Sequence, residues 1–152
     1  MVSLSGKVST EHGIRTTATK FFNFVLKQLH HVQNVTERVH QTKLQQGDWY
    51  NIGSVRHWTY VIDGKVVTCK DNIDAIDERN MIITYNVFEG DVSQQFKTLK
   101  LIFQAIDKDD GSAFVKWTFE YEKINEKVEP PYSYVDLFTK ITKDIDTHLV
   151  QA

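Results

Sequence analysis

Apolar residues change their spacing along this chain, and each change marks an element. Val2, Leu4 and Val8, then Ile14, alternate loosely and predict a first strand over residues 2–14. Thr16-Thr17-Ala18-Thr19 supplies N-cap candidates. Ala18, Phe21, Phe22, Val25, Leu26 and Leu29 then recur at helical spacing, which predicts a short amphipathic helix over 18–29. His30 to Thr36 is polar and reads as irregular chain or a second short helix.

From residue 38 the period is two. Strands are predicted at 38–46, 53–62, 65–76, 81–88, 94–106 and 112–123. Turn residues separate them: Gly47-Asp48, Asp63-Gly64, Asp77 to Asn80, Glu89-Gly90-Asp91 and Asp107 to Gly111. Asp63-Gly64 is a strong tight-hairpin signal. The last strand alternates most cleanly. Ala113, Val115, Trp117, Phe119 and Tyr121 share one face; Lys116, Thr118, Glu120 and Glu122 share the other. Pro130-Pro131 ends the run. Tyr134, Phe138, Ile141, Ile145 and Leu149 then predict a long helix over 131–150, with Lys140, Lys143, Asp144 and Asp146 off its apolar stripe.

Strand, helix, six consecutive antiparallel strands and a long helix make an α+β domain. A sheet of that length twists and curls, and the apolar terminal helix is the object for it to wrap. At 152 residues the chain reads as one domain, 1–152, large enough to bury a core. The net charge of −2 disfavours nucleic-acid binding. The single cysteine, Cys69, excludes an internal disulfide and any multi-cysteine metal site. Together with an N-terminus lacking an apolar leader, it predicts a cytoplasmic protein. No stretch approaches the ~20 apolar residues of a membrane span.

Several segments carry a resemblance. They are Leu4-Ser5-Gly6-Lys7, His30-His31, Gly47-Asp48-Trp49 with Gly53-Ser54-Val55, Trp58-Thr59-Tyr60 with Asp63-Gly64-Lys65, and Glu89-Gly90-Asp91. Val115 to Lys123 and Thr142 to Leu149 complete the set. In order and spacing they resemble the major latex protein branch of the Bet v 1 (pathogenesis-related class 10) family of plants. The resemblance implies a helix-grip fold: a seven-stranded curved antiparallel sheet around a long C-terminal helix, two short helices in a V, and a large, mostly apolar internal cavity. It implies an intracellular carrier or sensor of a hydrophobic metabolite or hormone, associated with defence or stress. The alternative is a cofactor-independent enzyme that cyclises or isomerises a reactive terpenoid-, iridoid- or alkaloid-type metabolite. Neither reading needs a cofactor or metal. The expected partner is a hydrophobic small molecule, the chain acting as a monomer or weak dimer. The glycine-rich loop, Gly47 to Gly53, departs from the wider family. It keeps two glycines and has no Gly-Lys-Ser/Thr ending, so it is no phosphate loop.

The same resemblance turns Arg56, Trp58, Tyr60 and Ile62 inward and leaves Val55, His57, Thr59 and Val61 outside. Arg56 then either holds a ligand carboxylate or phenolate, or lies at the rim with its head in water. Asp71, also placed inside by the resemblance, is its natural partner, as a structural ion pair or in acid–base work. Arg56, Asp71 and Tyr85 are the catalytic candidates. Ile83 and Tyr85 with Val87, and Leu99, Leu101 and Phe103, alternate inward as core and cavity wall. Tyr60, Tyr85 and Tyr134 carry hydroxyls able to orient a ligand. Phe138 and Ile141 complete the expected wall, with Phe22 or Val25 near the mouth. His30, His31 and His40 lack the spacing of a metal site. Cys69 is expected on the outer face, without a nucleophilic role.

Overall fold

Thr17 opens the first helix, α1 (Ala18–Lys27), by accepting the Lys20 backbone N–H at 3.1 Å. The computed structural model describes residues 3–151, so Val2 of the first predicted strand lies outside the described residues. That strand, β1, runs Ser5–Ile14. α1 buries Phe21, Phe22, Phe24, Val25 and Leu26. It stops two residues before the predicted end, because Gln28 leaves helical geometry at φ −125°, ψ 17°. Leu29 instead begins a 3₁₀ helix over Leu29–Asn34, the second short helix.

Six strands follow: β2 (Val39–Gln46), β3 (Val55–Ile62), β4 (Lys65–Asp77), β5 (Ile82–Phe88), β6 (Phe96–Asp107) and β7 (Ala113–Lys123). They pair in sequence order, all antiparallel. β1 adds beside the last of them, with Ser5 opposite Glu122 and Ile14 opposite Ala113. The sheet order is β1-β7-β6-β5-β4-β3-β2, so β1 and β2 are its two edges. Between β5 and β6 the predicted turn is a 3₁₀ helix, Gly90–Gln94. Gly90 has φ +71°, and a Cβ there would meet the Thr68 carbonyl oxygen at 2.5 Å, so glycine is required on both counts.

Alternation puts Trp58, Tyr60, Ile73, Ile83, Tyr85, Leu101, Phe103, Val115, Trp117 and Phe119 on the buried face. The long helix, α2 (Tyr132–Gln151), lays Tyr134, Leu137, Phe138, Ile141 and Ile145 against that face. The Phe138 ring lies 4.8 Å from Trp117, 5.8 Å from Phe119 and 6.1 Å from Tyr60, centroid to centroid. No helix among the described residues is long and apolar enough to cross a membrane.

Two positions differ from the sequence-based expectation. Asp146, expected off the buried stripe, is 7% exposed. Its carboxylate accepts the backbone N–H of Arg15 (3.1 and 3.0 Å) and of Thr16 (3.0 Å), and so ties α2 to the link between β1 and α1. Cys69 is buried on the inner face, not the outer. It stands two residues from Asp71 on one strand, so the two side chains share a face. Of the two lysines expected in water, Lys143 is exposed. Lys140 is half-buried and binds Asp144 one turn on at 2.9 Å. Asp144 also accepts the Thr36 hydroxyl at 2.6 Å.

Candidate ligand-binding cavity

β3 and β4 set Arg56 directly opposite Asp71. Both are inner-face positions, and the sheet, α2 and the 3₁₀ segment close over them. Arg56 is 1% exposed, which removes the rim reading of this residue. Its Nε donates to Asp71 Oδ1 and its Nη2 to Oδ2, each at 2.8 Å. Trp58 Nε1 donates to Oδ2 at 3.0 Å. The guanidinium lies 4.9 Å from the Tyr85 ring centre and 5.4 Å from that of Trp58, within cation–π range. Burial would lower the Arg56 pKa, but the Asp71 carboxylate and its hydrogen bonds outweigh that, and the net shift is upward. The guanidinium therefore stays charged. Its Nη1 is buried and has no hydrogen-bond partner among the described residues.

Around this cluster lies an apolar wall. Trp58 and Tyr60 stack at 5.5 Å with 6° between their planes. Tyr85, Val87, Leu99, Leu101, Trp117 and Phe119 continue it across β5, β6 and β7. Tyr134, Phe138, Ile141 and Ile145 cover it from α2, and Leu29, Val32, Val39 and Cys69 close the remainder. The enclosed cavity is about 40 Å³, set within about 630 Å³ of non-atom space that includes open solvent. The smaller volume describes the closed interior, and it holds about three waters at ~10–15 Å³ each. The cavity is thus much narrower than the large one the resemblance implies, because seven aromatic residues and the ion pair line it.

Burial governs the protonation of the wall. It pushes the Tyr85 hydroxyl up to about 12. Burial, then the nearby Cys69 and Asp71, raise Tyr60 well above its ordinary value. Burial also raises Tyr134 and Cys69. All four are neutral at physiological pH. For Tyr85 the Arg56 guanidinium, by its charge and a side-chain hydrogen bond, opposes the upward push of burial.

Of the residues singled out from sequence, the fold brings Arg56, Trp58, Tyr60, Asp71, Tyr85, Leu101, Tyr134, Phe138 and Ile141 together around this space. Phe22, Val25, Ile83 and Phe103 are buried but do not line it. Phe21 and Phe22 stack on Phe103 at 5.9 and 6.5 Å, and Phe103 in turn meets Trp117 at 4.7 Å. They form a solid layer beyond the cavity, which corrects the expected mouth at Phe22 or Val25. Trp117, Phe119 and Ile145 were legible in the apolar alternation and stripe; Cys69, expected outside, was missed, and the inward placement that the resemblance gives Asp71 two residues on was the signal that could have found it. Leu29 belonged to the apolar stripe read over residues 18–29, whereas Val32 and Val39 had no such signal. The neighbouring His30 and His31 rings lie 3.9 Å apart, with Trp49 at 5.3 Å from His30.

An antiparallel sheet wrapped on one long helix, with a mostly apolar space between them, defines the helix-grip class. The model of the pathogenesis-related protein Bet v 1 family matches residues 3–152, and the chain belongs to that family, in its major latex protein branch. MLP-like protein 43 of Arabidopsis thaliana is 37% identical over 150 residues, covering 97% of this chain and 95% of that protein. Major latex protein 146 of Papaver somniferum is 29% identical over 148 residues, covering 96% and 92%. The crystal structure of ginseng major latex-like protein 151 from Panax ginseng superimposes with a TM-score of 0.91 at 34% identity, covering 96% of this chain and 98% of that one. The family fold is one that binds hydrophobic ligands.

Proposed function

We propose that this protein is an intracellular, cytoplasmic carrier or sensor that holds a hydrophobic metabolite or hormone between sheet and α2. The association with defence or stress is supported by the pathogenesis-related family to which the chain belongs. The observation that carries the proposal is the cavity wall: apolar on nearly every side, with one buried polar cluster at Arg56, Asp71 and Trp58. Such a wall gives affinity through apolar burial and orientation through few polar contacts. A ligand-sized site is ~300–1,000 Å³, so occupancy requires rings such as Phe138 and Tyr134 to turn aside.

The protonation states favour carriage over cyclisation or isomerisation in the same cavity. Asp71 has both oxygens engaged, and the buried phenols and thiol stay protonated, so the wall offers no free general base. The test is saturable binding of a neutral naphthylamine fluorophore to the folded protein, with native mass spectrometry of protein from its source tissue to identify the resident molecule. Absence of saturable binding defeats the proposal. Protein-dependent conversion of a reactive terpenoid, compared with boiled protein, would favour the enzyme instead.

A further inference from the structure

We propose that the cavity selects hydrophobic molecules carrying a neutral hydrogen-bond acceptor, a ketone or lactone carbonyl, over those carrying a carboxylate or phenolate. This rests on the cavity being the ligand site. Among the described residues, Arg56 and Asp71 are the only formally charged ones lining it. Their two parallel hydrogen bonds at 2.8 Å make a neutral unit. The anion anticipated at Arg56 from sequence presupposed an unmatched cation, and the geometry supplies none.

What remains is a donor without an acceptor. Arg56 lines the space, and its buried Nη1 has no hydrogen-bond partner among the described residues. An unmet donor on a buried cation is costly, and a ligand oxygen placed against it relieves that cost. A carbonyl oxygen does so without adding charge. A carboxylate brings a second negative charge beside Asp71 into an apolar enclosure, where an unmatched ion is strongly disfavoured. The tyrosines reinforce this preference. Tyr60 and Tyr85 remain neutral phenols facing the same space, so they can donate to an oxygen but cannot neutralise an anion.

A matched series tests the proposal with the 152-residue chain: 2-undecanone, undecanoate and undecane, each displacing N-phenyl-1-naphthylamine at about pH 7.5, where the acid is ionised. The ketone is expected to bind at least about tenfold tighter than either of the others, the usual worth of a hydrogen bond to a charged group. Asp71→Asn keeps the shape and removes the matching charge, so undecanoate should gain at least about tenfold relative to the ketone. Undecanoate or undecane equal to the ketone in the unaltered protein overturns the selectivity, as does no carboxylate gain in Asp71→Asn. If that variant does not fold, the series on the unaltered protein decides alone. Failure of the fluorophore and all three chains to bind removes the ligand-binding function itself, and the selectivity with it.

Discussion

Trp117 on β7 donates its indole N–H to the Thr142 hydroxyl of α2 across 2.8 Å, and the Thr142 hydroxyl in turn donates a hydrogen bond to the Phe138 carbonyl at 2.6 Å. This is a direct polar link between the sheet and the gripped helix in a largely apolar contact. All three groups are buried, so the link is shielded from water.

Thr142→Val preserves shape and leaves the indole N–H buried without an acceptor. Stability should fall by about 1–3 kcal/mol, the cost of an unsatisfied buried polar group. Urea unfolding followed by tryptophan fluorescence measures it, and a midpoint unchanged from the parent would show that the link contributes nothing.

Arg56→Met strands the Asp71 carboxylate inside the fold. A loss of roughly 3–5 kcal/mol is expected, as for breaking a buried ion pair. Adding Asp71→Asn should restore part of that loss, because the two residues are in contact and their effects do not add. Denaturation midpoints of the two single variants and the double variant check the coupling; strict additivity would contradict it.

Alkaline pH should destabilise the protein. Tyr85 titrates near 12 in the fold against about 10 in the unfolded chain. Below pH ~10 both states hold the proton and this contribution is fully present. Between ~10 and ~12 the unfolded chain releases its proton while the folded one keeps it, so stability declines as pH rises. Tyr60, Tyr134 and Cys69, also shifted upward, act in the same direction. Tyr85→Phe should flatten part of the decline in chemical denaturation between these pH values. Tyrosinate absorbance should show these tyrosines ionising late, together with unfolding.

Phe138 touches rings on β3 and β7 at once and narrows the cavity. Phe138→Ala should cost about 3–5 kcal/mol in stability, the range for a buried aromatic truncation. It should also admit bulkier polycyclic ligands that the parent binds weakly. Calorimetric unfolding and fluorophore displacement read the two effects separately. Stability loss without any change in ligand size preference would place Phe138 in packing alone.

The periodicities of residues 38–123 and 131–150 carried the six-strand run and α2 to within a residue or two at most ends, because a strand or helix buries a local and regular set of side chains. The inward alternation of Ile83 and Tyr85 was legible for the same reason, and the family resemblance brought Arg56, Trp58, Tyr60 and Asp71 inside. Nothing local announced that β1 would close beside β7, since that pairing joins residues more than ninety positions apart and depends on the whole sheet coiling first. Asp146 looked like a solvated charge on the helix. It became a buried acceptor only when the chain between β1 and α1 was brought against α2. Cavity width was likewise a tertiary outcome. It is the small difference between the space the sheet encloses and the volume of the rings and ion pair that fill it, and neither quantity exists until distant strands meet. The pattern along the chain determined where the strands and helices run and which apolar stripe α2 buries; only the packed fold decided that Asp146 and Cys69 would turn inward, and that Arg56 would be matched by Asp71 and still keep one N–H without an acceptor.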